Sequence, residues 1–152
     1  RELMWQRGLN YNHGTGHGVG YLLNVHERPV GIRFKTVPER QDGAPFMPGM
    51  VCSDEPGIYI EGSHGIRTEN LLFCKELERT EYGRFFGFEF LTYVPFDLEP
   101  VDVSLMEQRD IDYLNEYHSQ VYEKISPYLE KEEAQWLWEV TRPLPGFFGN
   151  QQ

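Results

Sequence analysis

Residues 13–20 read His13-Gly14-Thr15-Gly16-His17-Gly18-Val19-Gly20. Four glycines at period two cannot make a good helix, because glycine in a helix interior costs roughly 1 kcal/mol relative to alanine. As extended chain, the stretch puts its glycines on one face and His13, Thr15, His17 and Val19 on the other, since successive strand residues point to opposite sides. A strand face without side chains requires another segment to approach its backbone closely. His13 and His17 are four apart, as in the zinc motif H-E-x-x-H, but that motif needs a helix, which the glycines forbid. A dinucleotide loop G-x-G-x-x-G also fails: Gly14-x-Gly16 is followed by Val19, and Gly16-x-Gly18 by Tyr21.

Outward from this stretch, residues 2–7 read as the end of a helix with Gly8 as its left-handed cap. Residues 31–48 read as a loop. Residues 50–60 and 65–75 read as two strands separated by Glu61-Gly62-Ser63-His64, and residues 86–95 as a third. Ser104 and Glu107 fit the capping box S-x-x-E at the start of a helix. That helix carries Ile111, Leu114, His118, Val121 and Ile125 at helical spacing and is interrupted by Pro127. A second helix spans about residues 131–140. Strands first and helices last give an α+β class.

Composition removes several function classes. The chain has 152 residues, with 24 Asp plus Glu against 14 Lys plus Arg and a formal charge of −10. That excess of acid disfavours binding to phosphate backbones, and no polybasic run is present to attract a membrane surface. No stretch approaches the roughly 18 apolar residues of a transmembrane helix. Hydrophobic residues at 39% and charged residues at 25% make a globular rather than a disordered chain. Cys52 and Cys74 read as core residues, not as a disulfide framework. A first residue of Arg1 instead of Met, with functional-looking residues soon after it, leads to the expectation of a piece of a longer protein.

Three further groups carry possible chemistry: His26 in Val25-His26-Glu27, Glu55 in Asp54-Glu55-Pro56-Gly57, and the pair Arg67 and Glu69, which as one strand would share a face. Each has a plain alternative. A histidine is most often hydrogen-bonded surface, Glu55 can cap a turn, and Arg67 with Glu69 can be a surface charge ladder. His64 and His118 keep the plain reading, in a polar loop and on an apolar helix face.

In order along the chain, these residues stand in His13-Gly14-Thr15-Gly16-His17-Gly18-Val19-Gly20, Asn24-Val25-His26-Glu27-x-Pro29, Asp54-Glu55-Pro56-Gly57-Ile58-Tyr59 and Gly65-Ile66-Arg67-Thr68-Glu69-Asn70. The series resembles the catalytic domain of the pita-bread metallopeptidases, and within them the Xaa-Pro aminopeptidases (aminopeptidase P) of the long, cytosolic-type branch. The tail also resembles that branch, in Phe88-Glu89-Phe90-Leu91-Thr92-Tyr93-Val94-Pro95 and Tyr113-Leu114-Asn115-x-Tyr117-His118. It argues against a prolidase-like dipeptidase.

The resemblance implies the second half of a pita-bread domain over residues 1–100 and a carboxy-terminal helical extension over 101–152. It implies an enzyme that releases an N-terminal residue preceding proline, with two divalent metal ions, manganese or zinc, bridged by a hydroxide. By motif, His17, Glu55 and Glu69 would be metal ligands, with Glu69 bridging. Glu55 would also shuttle the proton, His13 would contact substrate, and His26 would hydrogen-bond the developing oxyanion. Tyr59 and Arg67 match positions near the site.

Two aspartate ligands and a further histidine of the family find no match here and would lie upstream. One metal position would keep three ligands, the minimum of catalytic zinc sites, and the other only Glu69. This chain alone should therefore bind at most one metal, weakly, and be inactive. Its partners would be a peptide with proline in second position, the upstream half of the same protein, and a second copy of itself through an unpaired sheet edge. The long branch also implies a carboxy-terminal contribution to a homodimer, and Tyr117, Tyr122, Tyr128, Trp136, Trp138, Phe147 and Phe148 suit that interface or an aromatic core equally. A cytoplasmic location is expected. The competing reading is a metal-free pita-bread module that binds peptides or proteins without cleaving them.

Overall fold

The computed structural model describes residues 1–22 and 24–145. Its first turn of helix, α1 (Glu2–Trp5), is followed by Gly8 at φ +68°, a left-handed geometry that glycine adopts without strain. The glycine stretch then supplies β1 (Gly16–His17), antiparallel to β2 (Gly31–Ile32), with His17 opposite Gly31. The close approach that a bare face requires is present. A Cβ on Gly16 would lie 2.0 Å from the Ser53 carbonyl oxygen, and one on Gly18 2.2 Å from that of Glu27. The rest of the segment up to residue 48 is largely irregular, with a 3₁₀ turn at Pro38–Arg40.

The structure corrects the strand boundaries. Residues 50–60 form two strands, β3 (Val51–Asp54) and β4 (Gly57–Ile60). The break falls where the Glu55 N–H donates away to the Thr15 carbonyl at 2.7 Å and Pro56 has no N–H to give. Residues 65–75 likewise divide into β5 (His64–Arg67) and β6 (Asn70–Thr80), because the Thr68 N–H turns to the Pro56 carbonyl at 3.1 Å. His64 is thus in a strand and not in the intervening loop. The third strand, β7 (Gly83–Phe90), starts earlier and ends earlier than the pattern suggests. Beyond it the Thr92 hydroxyl, not a backbone carbonyl, takes the Leu71 N–H at 2.9 Å.

These strands make a three-stranded antiparallel sheet in the order β3-β6-β7 and a separate β4-β5 hairpin. Cys52 and Cys74, on neighbouring strands β3 and β6, are fully buried, as expected of core residues. Burial, and then the charge of Asp54, push the Cys52 thiol up to about 11, so it stays protonated and unreactive. All of this belongs to a compact unit, Arg1–Thr92; a second begins at Tyr93.

The second unit is helical: α2 (Gln108–Ile125), a 3₁₀ turn at Ser126–Tyr128 that includes Pro127, and α3 (Lys131–Val140). Ser104 is not the cap of α2. Its N–H and hydroxyl both bond Asp102 Oδ1, at 3.0 and 2.6 Å, which closes a 3₁₀ turn at Val103–Leu105 instead. Glu107 becomes the N-cap, with the Asp110 carboxylate accepting its N–H at 3.4 Å. The apolar face of α2 buries Ile111, Tyr117, His118 and Val121. His118 keeps the plain role expected of it: Nε2 accepts the Phe96 N–H at 3.0 Å. Among the described residues no helix is long and apolar enough to cross a membrane. Phe147 and Phe148 lie outside the described residues.

Candidate active site

The site is built where β1 crosses the end of β3. Gly16 lets the two backbones touch, the Thr15 carbonyl takes the Glu55 N–H, and the His17 N–H reaches the buried Ser53 hydroxyl at 3.0 Å. These contacts bring His17 Nε2 to 3.1 Å from Glu55 Oε1. His17 Nδ1 lies 3.0 Å from the Gly18 carbonyl, which can only accept, so Nδ1 carries the ring hydrogen. In the neutral ring Nε2 is therefore a bare acceptor facing a carboxylate oxygen. Such a pair is satisfied by a shared proton or by a cation, and imidazole nitrogen with carboxylate oxygen is a donor set for zinc or manganese.

The other expected residues gather around this pair, with one exception. The His26 ring centroid is 4.3 Å from that of His17. Arg67 Nη1 is 3.8 Å from Glu55 Oε2, and its Nε donates to the Tyr59 hydroxyl at 3.0 Å. Tyr59 in turn is 2.8 Å from His13 Nε2. The bond to Tyr59, then the nearby charges of Glu55 and Glu69, hold the Arg67 guanidinium above its usual range. Burial, followed by the adjacent Glu55, raises the Asp54 carboxyl. Glu69 is exposed, on the crossover between β5 and β6. It does not share a strand face with Arg67, because β5 ends at Arg67 and β6 starts at Asn70. Among the described residues no three of His, Cys, Asp and Glu come together as a metal cluster.

Three contributors were not apparent from the sequence. Ser53 donates to Glu55 Oε1 at 2.9 Å; its place two residues before Glu55 on a strand was the available signal. The Arg1 guanidinium stacks on the Tyr11 ring at 3.7 Å and donates to the Tyr11 and His13 carbonyls at 2.6 and 2.5 Å, which ties down the His13 segment. Arg33 pairs with Asp42 at 2.5 Å and lines a cavity of about 430 Å³ together with His17, His26 and Val30. No pattern in the sequence links these last two pairs.

Known proteins resemble this chain along most of its length. The model of metallopeptidase family M24 matches residues 1–76, and that of the C-terminal region of peptidase M24 matches residues 84–144. The chain is 47% identical to aminopeptidase P2 of Arabidopsis thaliana over 95% of its own length and 20% of the relative's. To a probable Xaa-Pro aminopeptidase P of Arthroderma otae it is 45% identical, over 95% of this chain and 23% of the other. A crystal structure of X-prolyl aminopeptidase from Caenorhabditis elegans, described as a cytosolic enzyme with a di-nuclear active site, superposes with a TM-score of 0.84 at 36% identity. That match covers 95% of this chain and 23% of the solved one. The chain thus spans about a fifth of the length of these relatives. Its antiparallel sheets and following helices are those of the carboxy-terminal part of a pita-bread aminopeptidase fold, and the α+β expectation holds. Matched by two family models along nearly all of its described length and superposed on a solved member, the chain belongs to metallopeptidase family M24.

Proposed function

We propose that this chain furnishes the carboxy-terminal part of the active site of a dinuclear-metal Xaa-Pro aminopeptidase, which cleaves the bond between an N-terminal residue and a following proline. The observation that carries the reading is the His17–Glu55 pair, two acceptor atoms 3.1 Å apart beside His26. In this reading residues 1–100 are the catalytic half-domain and 101–152 its extension. His17 and Glu55 would hold one metal ion, and Glu69 would join the ligand set once the upstream half supplies the two aspartates. Manganese or zinc fits the donor chemistry. When bound, two such ions polarise the scissile carbonyl and acidify the attacking water.

The chain's own residues then have separate tasks. Glu55 takes the proton of the attacking water on a carboxylate oxygen and returns it to the leaving proline nitrogen. His26 donates an N–H to the oxygen that becomes negative as the carbonyl turns tetrahedral, an interaction that commonly contributes a few kcal/mol. His13, oriented by Tyr59, contacts the substrate, and Arg67 keeps Tyr59 in place. The partners are the upstream half of the same protein, a peptide with proline second, and a second copy of the chain. The location is cytoplasmic. Taken alone, the chain binds at most one metal and is inactive. A peptide-binding module is the second reading for the isolated chain.

Cleavage of an Arg-Pro-Pro peptide with added manganese tests the proposal on the chain alone, on the upstream part alone, and on the two mixed. Activity only on mixing is the expected result. Activity of this chain alone would show that the ligand count is wrong. Inactivity of the mixture with metal binding intact would favour the binding module.

A further inference from the structure

Ser53 is fully buried at the centre of the contact between β1 and β3. Its Oγ accepts the backbone N–H of His17 at 3.0 Å and donates to Glu55 Oε1 at 2.9 Å. A hydroxyl has one proton, so accepting from His17 leaves that proton for Glu55. One side chain is therefore bonded to both residues of the pair, to the backbone of one and the carboxylate of the other. The oxygen it holds, Oε1, is the same one that lies 3.1 Å from His17 Nε2.

A competing partner waits on the other side. Arg67 Nη1 is 3.8 Å from Glu55 Oε2, too far for a hydrogen bond but near enough to attract. A carboxylate freed from Ser53 can swing to close that gap, which takes Oε1 away from His17. The buried Ser53 bond opposes this, and a hydrogen bond to a buried charge outweighs an ion pair with a half-exposed guanidinium.

We infer that Ser53 is a positioning residue: it fixes the Glu55 carboxylate against the pull of Arg67 and thereby sets the affinity of the His17–Glu55 pair for a divalent cation. The inference rests on the reading of His17 and Glu55 as metal ligands. Partners that orient a ligand typically change metal affinity 10- to 100-fold when removed.

The test is calorimetric titration of the metal-free, full-length protein with manganese, for the unaltered protein and for Ser53→Ala, Ser53→Cys and Ser53→Thr. Ser53→Ala is expected to weaken manganese about 10- to 100-fold. Ser53→Cys, close in size but a poor donor, is expected to do the same. Ser53→Thr, which keeps the hydroxyl, is expected to recover most of the affinity. In peptide cleavage kcat should fall in the Ala and Cys variants with KM little changed. If Ser53→Ala does not fold, Ser53→Cys carries the comparison. Unchanged manganese affinity in the Ala or Cys variant overturns the inference. So does a Thr variant as weak as Ala with an equal drop in the melting temperature of the metal-free protein, since that is loss of packing. His17→Ala and Glu55→Gln separate the two levels. If neither weakens manganese, the ligand reading falls and the inference with it. If both do and the Ser53 variants do not, the inference alone falls.

Discussion

At the scale of single residues, Gly16 has no room for a side chain, because a backbone oxygen occupies the space. The atom a Cβ would meet at 2.0 Å is the carbonyl of Ser53, which cannot rotate out of the way. Gly16→Ala must push β1 off β3, and overpacking of this kind costs about 1–3 kcal/mol. A lower urea midpoint is the expected result, and an unchanged midpoint would mean that the two strands slide apart freely. His118 gives a pH dependence. Its Nε2 accepts the Phe96 N–H, which only the neutral ring can do, and burial lowers its pKa from the ordinary 6.5. Between the folded value and about 6.5 the unfolded chain binds a proton that the folded chain refuses, so the contribution is full above about 6.5 and falls as pH drops toward the folded value. Urea midpoints measured from pH 8 to 5 should decline below about 6.5. The decline should be shallower in His118→Gln, and equal slopes in the two would refute the assignment.

At the scale of elements, helix α3 keeps its entry through Glu133, whose carboxylate accepts the Glu130 N–H at 3.0 Å. Glu133→Ala leaves that N–H to solvent and is expected to cost about 0.5–1 kcal/mol, read as a drop in melting temperature. Gln in its place should recover most of the loss, because its side-chain carbonyl still accepts. The strand pairs show a different logic. Glu55-Pro56 and Thr68-Glu69 interrupt what the residue pattern presents as two long strands, and the interruptions hand β3 to β6 and β4 to β5. The breaks also free Glu55 to turn toward His17, so the irregularity and the site have one cause.

At the scale of the whole molecule, the chain spans about a fifth of the length of its relatives, and apolar residues stand open on the β4-β5 hairpin, among them Tyr59, Ile60 and Ile66. Exposed apolar patches on a sheet invite pairing. In sedimentation the isolated chain should run larger than a monomer at high concentration, and the upstream half should dissociate it. A clean monomer at all concentrations would show that these faces are not adhesive.

Much of this chain could be read without coordinates because its information is local. Period-two glycines forbid a helix and demand a close neighbour, and Gly8, Pro127 and the spacing from Ile111 to Val121 mark helix ends and faces through backbone geometry alone. The motif series likewise named His13, His17, His26, Glu55, Tyr59, Arg67 and Glu69 from residue type and order. What remained hidden depends on which groups meet across the sequence. No local rule says that Thr15 will take the Glu55 N–H or that Arg1 will hold the His13 carbonyl. Nor does one say that a buried serine joins His17 to Glu55 while Glu69 stays apart in the crossover. Such hydrogen bonds form between segments distant in sequence that meet only once the chain has folded, so tertiary structure decides them.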